Sequence, residues 1–166
     1  LDADMIRSLV KSMIEEFAQS EEPVRVMMRR RDMDDDLIAL GAAEVFHGDL
    51  GNVADMSAAA AGCRAIYFIC PNMVEDEGII AQSVIAAAKT AEVERLIFHS
   101  VLHTQVQALR HHWARLFVEE AIIESGVPFS ILQVGSYYQN MLPGWDKMLE
   151  TGEHGMAYEV EAEMAL

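Results

Sequence analysis

The run Arg95-Leu96-Ile97-Phe98-His99-Ser100, then His111-His112-Trp113-Ala114-Arg115, then Phe129-Ser130-Ile131-Leu132-Gln133-Val134-Gly135, decides the fold. The outer two stretches are of strand length. The segment from about Val106 to Ser125, stopped by Gly126, reads as a long helix. Strand, helix and strand in that order make a right-handed parallel unit, and open α/β sheets place ligands in the crevice beyond the carboxyl ends of such strands.

The same alternation extends outward. Ala65 to Cys70 is continuously apolar between Gly62 and Pro71, as suits a strand covered on both faces, and a helix follows from about Glu75 to Ala91. Met5, Ile6, Leu9, Val10, Met13, Ile14 and Phe17 fall at helical spacing within residues 3–20. Val24 to Met28 reads as a short strand and Met33 to Leu40 as a short helix stopped by Gly41. A strand from Ala43 to His47 and a helix from Val53 to Ala61 follow. After Ser136 a helical run continues through Met148, with a strand near Met156 to Val160. The pattern predicts one α/β domain over residues 1–166, a doubly wound parallel sheet of Rossmann-like type.

A chain of 166 residues can bury a real core, since about two-thirds of the unfolded surface is lost at ~150 residues. Hydrophobic residues make up 52%, but no apolar run approaches the ~18 residues of a membrane span; Ala58 to Cys70 is broken by Gly62 and Arg64. The formal charge of -15 repels phosphate backbones, so neither nucleic acid nor membrane is expected as a partner. Arg29-Arg30-Arg31, next to Asp32, Asp34, Asp35 and Asp36, suits a single phosphate group. Cys63 and Cys70 lack metal-ligand spacing and the N-terminus lacks a secretory pattern, so two free thiols in the cytoplasm are expected. His99, His103, His111 and His112 have no carboxylate or cysteine at ligand spacing, and no metal site is expected.

Several short motifs recur in one order: Val24-Arg25-Val26-Met27-Met28-Arg29, Leu40-Gly41-Ala42, His47-Gly48-Asp49-Leu50, Phe68-Ile69-Cys70-Pro71, Phe98-His99-Ser100-Val101, and Val127-Pro128-Phe129 through Gln133 to Asn140. In order and spacing the chain resembles NmrA-like proteins of the atypical short-chain dehydrogenase/reductase superfamily, over roughly residues 8 to 145. The resemblance implies NADP as cofactor, with NAD less favoured. It also implies an oxidoreductase acting on a quinone or other small electrophile, with a small-molecule substrate as partner. The alternative is a non-catalytic redox-sensing or regulatory protein with a degenerate dinucleotide site and a protein partner.

Carried onto this sequence, the resemblance gives Arg29 the 2′-phosphate of NADP, Asp49 and Leu50 the adenine, and Pro71 with Asn72 the nicotinamide ribose. Gln133, Gly135, Tyr137 and Tyr138 would line the nicotinamide end. Each also has a plainer reading: Arg29 as a surface arginine, Gly48-Asp49 as an ordinary turn, Pro71 as a strand stop. Ser100 stands where related dehydrogenases hold the substrate carbonyl. Their Tyr-xxx-Lys pair is replaced by His111-xxx-Arg115, four apart and so on one helix face. Ser100, His111 and Arg115 are the candidate catalytic residues, with Arg115 also able to bind ribose; His112 is an alternative proton carrier.

Two departures carry consequences. The family's Gly-rich turn has no counterpart, because no glycine precedes Gly41 and the stretch Leu1 to Ser8 holds Asp2 and Asp4 where a pyrophosphate would sit. The family's central first strand is also missing from the reading, which leaves an empty slot between the strands at 24–28 and 65–70. Three outcomes stay open: further residues in the working protein, another segment in the slot, or closure of the two halves. A small substrate-binding region after about residue 145 is likewise expected to be missing.

Overall fold

Five parallel strands alternate with six helices along the described residues of the computed structural model, which are 3–19, 22–71, 77–135, 137 and 144–153. In chain order they are α1 (Ala3–Gln19), β1 (Arg25–Met28), α2 (Asp34–Ala39), β2 (Glu44–His47), α3 (Val53–Ala60), β3 (Ala65–Ile69), α4 (Glu77–Thr90), β4 (Arg95–Val101), α5 (Arg110–Glu124), β5 (Phe129–Val134) and α6 (Trp145–Thr151). Asn72, Tyr138, Asn140 and the expected strand at 156–160 lie outside the described residues.

The strands form two sheets. β1 pairs with β2, Val26 opposite Val45, while β3, β4 and β5 pair in that order, with Phe68 opposite Phe98 and Ser100 opposite Gln133. Among the described residues β1 and β3 each pair on one side only, so the expected slot between them holds no strand. The halves are joined all the same. Arg25 Nη1 donates to the carbonyls of Ala59 (2.7 Å) and Ala61 (2.8 Å) at the end of α3.

Alternation along β1 explains the winding. Val26 and Met28 pack with Ile14 of α1 and Leu37 of α2, whereas Met27 points to the core shared by α3, α4 and α5. On β4, Leu96 and Phe98 belong to that larger core with Phe68, Val84, Val118 and Ile122. A fully buried Leu or Phe side chain contributes about 1.5–3 kcal/mol, so this cluster is the main source of stability. Gly41, at φ +109, turns the chain hard against α1, where a Cβ would stand 2.7 Å from that of Ala18.

Two helix boundaries differ from expectation. α5 begins at Arg110, not near Val106, because residues 102–109 close as turns: Val106 N bonds His103 O (3.2 Å) and Leu109 N bonds Val106 O (3.0 Å). No capping side chain stands before Arg110, and His112 Nδ1 holds the carbonyl of Leu102 (2.7 Å) against the helix. α6 runs on to Thr151 and ends at Gly152 in the left-handed region, three residues past the expected Met148.

Candidate functional site

Parallel pairing places every carboxyl strand end on one edge of each sheet. Beyond β1 and β2, Gly48 N bonds Met28 O (3.2 Å), so Arg29 and the Gly48-Asp49-Leu50 loop emerge side by side. Arg29 is exposed. Arg30 forms a surface ion pair with Asp32 (3.1 Å). A Cβ on Gly48 would stand 2.8 Å from Asp55 Cβ and from Met27 Cε, so the loop is tight because it lacks one. Asp49 Oδ1 accepts from Gly51 N (2.8 Å) and Asp49 N donates to Asp55 (2.9 Å), the geometry of a self-closed Asx turn. Leu50 packs its side chain on the larger core.

Next to this loop His47 Nε2 meets Asp34 Oδ2 at 2.8 Å, while His47 Nδ1 and Asp34 Oδ1 are buried without hydrogen-bond partners. Exposed Arg29 and a tight glycine loop together fit the phosphorylated adenosine end of a dinucleotide.

Beyond β3 and β4 the side chains separate onto two faces. Ser100 points to the α5 side and is fully buried, its hydroxyl donating to Glu119. Glu119 also accepts from Gln133 Nε2 on both oxygens (3.0 Å each) and from Thr104 (3.4 Å). One turn earlier on α5, Arg115 is 2% exposed; it donates to Cys70 O (2.9 Å), pairs with Glu77 (3.5 Å) and lies over the Phe98 ring. Its Nη2 is 3.5 Å from Pro71 O, which links the loop after β3 to the helix.

Ser100 and Arg115 therefore share the α5–β4 interface, each with internal partners. His111 is half-buried against His112, its Nε2 unpartnered, and burial above all lowers its pKa, the neighbouring His112 and Arg115 adding to the effect.

On the other face His99 is 5% exposed. Tyr67 Oη is 2.8 Å from its Nδ1, and the hydroxyl of Tyr137 bonds its Nε2. Tyr137 follows Gly135 at the end of β5, and its ring stacks near that of His99. Burial lowers the His99 pKa, aided by the Arg115 cation, and raises those of Tyr67 and Tyr137, the last to about 12. Among the described residues no group of three or more His, Cys, Asp or Glu could hold a metal ion, and no helix is long and apolar enough to cross a membrane.

Sequence reasoning passed over Tyr67, Glu77, Thr104 and Glu119. A signal existed for Glu119. It lies four residues after Arg115 on the stripe that carries Val118 and Ile122, so both polar residues had to point inward.

A family profile described as NAD(P)H-binding matches residues 8–161. Quinone oxidoreductase 2 of Escherichia coli (strain K12) is 27% identical over 115 residues, 69% of this chain and 40% of that protein. Among solved structures, the NADPH complex of an Escherichia coli NADPH-dependent quinone oxidoreductase superposes with a TM-score of 0.72 at 25% identity, covering 86% of this chain and 51% of that one. The NADP(H) complex of Citrobacter sp. triphenylmethane reductase gives 0.70 at 20% identity, over 86% of this chain and 50% of that one. The chain thus spans about 40–51% of the length of these relatives. With the profile covering nearly all of it and the parallel α/β architecture in common, the chain belongs to the NAD(P)H-binding family, in the atypical short-chain dehydrogenase/reductase superfamily.

Proposed function

We propose that this protein binds NADP(H) and reduces a quinone or another small electrophile. The observation that carries the reading is the exposed Arg29 emerging beside the Gly48-Asp49-Leu50 loop at the carboxyl end of a sheet of dinucleotide-binding type. Support for the substrate class comes from the two quinone oxidoreductase comparisons, at 27% and 25% identity. Arg29 would grip the 2′-phosphate, a task that suits a guanidinium through paired charge-assisted bonds. Asp49 keeps one carboxylate oxygen for the adenine amino group, since Gly51 N takes the other. Pro71 with Asn72 would border the nicotinamide ribose, and Gly135 and Tyr137 the ring.

When bound, the dihydronicotinamide supplies a hydride. The chain's own part is orientation and a proton for the reduced acceptor. Ser100 and Arg115 act here through the order they impose: Arg115 fixes the loop at Cys70-Pro71, and Ser100 with Gln133 fixes the ends of β4 and β5 through Glu119. Of the sequence-derived candidates for the proton, His111 is half-buried and its Nε2 is enclosed without a hydrogen-bond partner, which does not favour it as the direct donor. The two free thiols suit a reducing compartment such as the cytoplasm. Calorimetry of the full-length protein should show NADPH bound at least ~10-fold more tightly than NADH, from the added charge-assisted contacts. Absence of heat and of thermal shift at millimolar NADPH would overturn the reading.

A second reading is favoured by one observation: Ser100 and Arg115 are both buried on internal partners, and the Tyr-xxx-Lys pair is absent from α5. It makes the protein a dinucleotide-binding regulator that contacts another protein. Consumption of NADPH with any of a panel of quinones would exclude it.

A further inference from the structure

We infer that Tyr137, His99 and Tyr67 form a proton relay in which Tyr137 is the proton donor to the reduced acceptor; this rests on the oxidoreductase reading above. Three side chains from β3, β4 and the segment after β5 meet on the sheet face opposite α5, and their polar atoms form one unbroken chain. Tyr67 Oη lies 2.8 Å from Nδ1 of His99, and Nε2 of the same ring bonds the Tyr137 hydroxyl. A neutral imidazole has one N–H and one bare nitrogen, so it accepts from one phenol and donates to the other. The phenol that accepts keeps its own O–H for a third partner. Tyr137 takes that place by position: it sits, half-buried, two residues past Gly135 beyond the carboxyl end of β5, while Tyr67 lies within β3, paired with Ile97.

The proton movements balance. The acceptor gains a hydride and with it an electron pair on oxygen. Tyr137 passes its proton to that oxygen, and its own oxygen takes the proton from Nε2 of His99. Nδ1 then takes the proton of Tyr67, which is restored from water. One hydride and one proton enter the product, and His99 ends neutral, with its tautomer exchanged until the relay resets.

The charged and titratable surroundings favour this use. Burial, aided by Arg115 on the α5 side of the sheet, disfavours the cationic form of His99, and among the described residues its two ring nitrogens bond the two phenols. Ser100, by contrast, donates into Glu119 beneath α5. His99 and Tyr67 are positioning residues in this scheme, acting through Tyr137.

The test joins two measurements on the full-length protein. Nitrogen NMR of His99 should show a neutral ring in one tautomer, Nε2 protonated, with both nitrogen shifts moved by Tyr67→Phe or Tyr137→Phe. Steady-state turnover should fall about 100-fold in Tyr137→Phe, the usual size of a lost proton donor, with KM for NADPH unchanged. Tyr67→Phe should lose about 10-fold and shift the pH profile of kcat. A cationic ring, the opposite tautomer, or a loss confined to His111→Gln would each overturn the relay while leaving the oxidoreductase reading standing. NADPH bound but consumed with no acceptor would overturn both.

Discussion

Arg115 Nη2 lies 2.9 Å from the carbonyl oxygen of Cys70, and Arg115 Nε lies 3.5 Å from Glu77 Oε2, so one guanidinium on α5 ties together the end of β3 and the first turn of α4. Both side chains are almost wholly buried. A buried pair gives little net stability over apolar replacements, but removing one member strands the other charge. Arg115→Ala should therefore cost about 3–5 kcal/mol in urea unfolding, and Arg115→Met combined with Glu77→Leu should recover most of it. An equal loss in the double variant would show that the pair is not the cause.

The carboxylate of Glu119 serves three donors from three segments: Ser100 on β4, Thr104 in the following turn and Gln133 on β5. Glu119→Leu leaves the buried hydroxyls of Ser100 and Thr104 without their acceptor, while the exposed Gln133 amide can turn to water, and should lower stability by about 2–4 kcal/mol; Ser100→Ala removes one charge-assisted bond and should cost about 1.5–3 kcal/mol. Chemical denaturation of both variants checks the order.

Burial pushes the Cys70 thiol up from 9.0 to about 11, against the opposing pull of Arg115. A folded-state pKa above the unfolded one means that the folded chain holds more protons between those values, so stability falls as pH rises from about 9 to 11, by up to ~3 kcal/mol. Cys70→Ala should flatten that slope in pH-dependent unfolding. Native protein at pH 8 should expose only Cys63 to a thiol reagent, since Cys70 is 1% accessible and protonated.

Arg29 is exposed just past the end of β1 and, in the function proposed above, would hold the 2′-phosphate. Arg29→Ala should weaken NADPH about 10- to 100-fold in calorimetry and leave NADH unchanged, the size of one charge-assisted contact. Equal weakening of both would place Arg29 elsewhere than on the 2′-phosphate.

Gly41 holds φ +109 with its α-carbon against Ala18 of α1. Gly41→Ala meets both backbone strain and a contact at 2.7 Å, and should cost about 1–3 kcal/mol or more, seen as a lowered Tm. Unchanged stability would mean that α1 can move away freely.

Periodicity alone determined the order of strands and helices, because a buried parallel strand such as Ala65 to Ile69 must be continuously apolar and an amphipathic helix such as α1 must repeat near 3.6 residues. The family was legible as a resemblance in the order and spacing of the motifs, and parallel pairing then brings Arg29, Asp49, Pro71 and Gly135 to the carboxyl ends of their strands. The start of α5 was not legible, since side chains distant in sequence, Glu119 and Gln133, draw Thr104 and its neighbours out of the helix. The faces were decided only by tertiary packing. Ser100 and His99 are adjacent in sequence, yet the pleat sends one beneath α5 to Glu119 and the other to two phenols from β3 and beyond β5. A spacing rule reads neighbours along one element, whereas a hydrogen-bonded cluster is assembled by register across three.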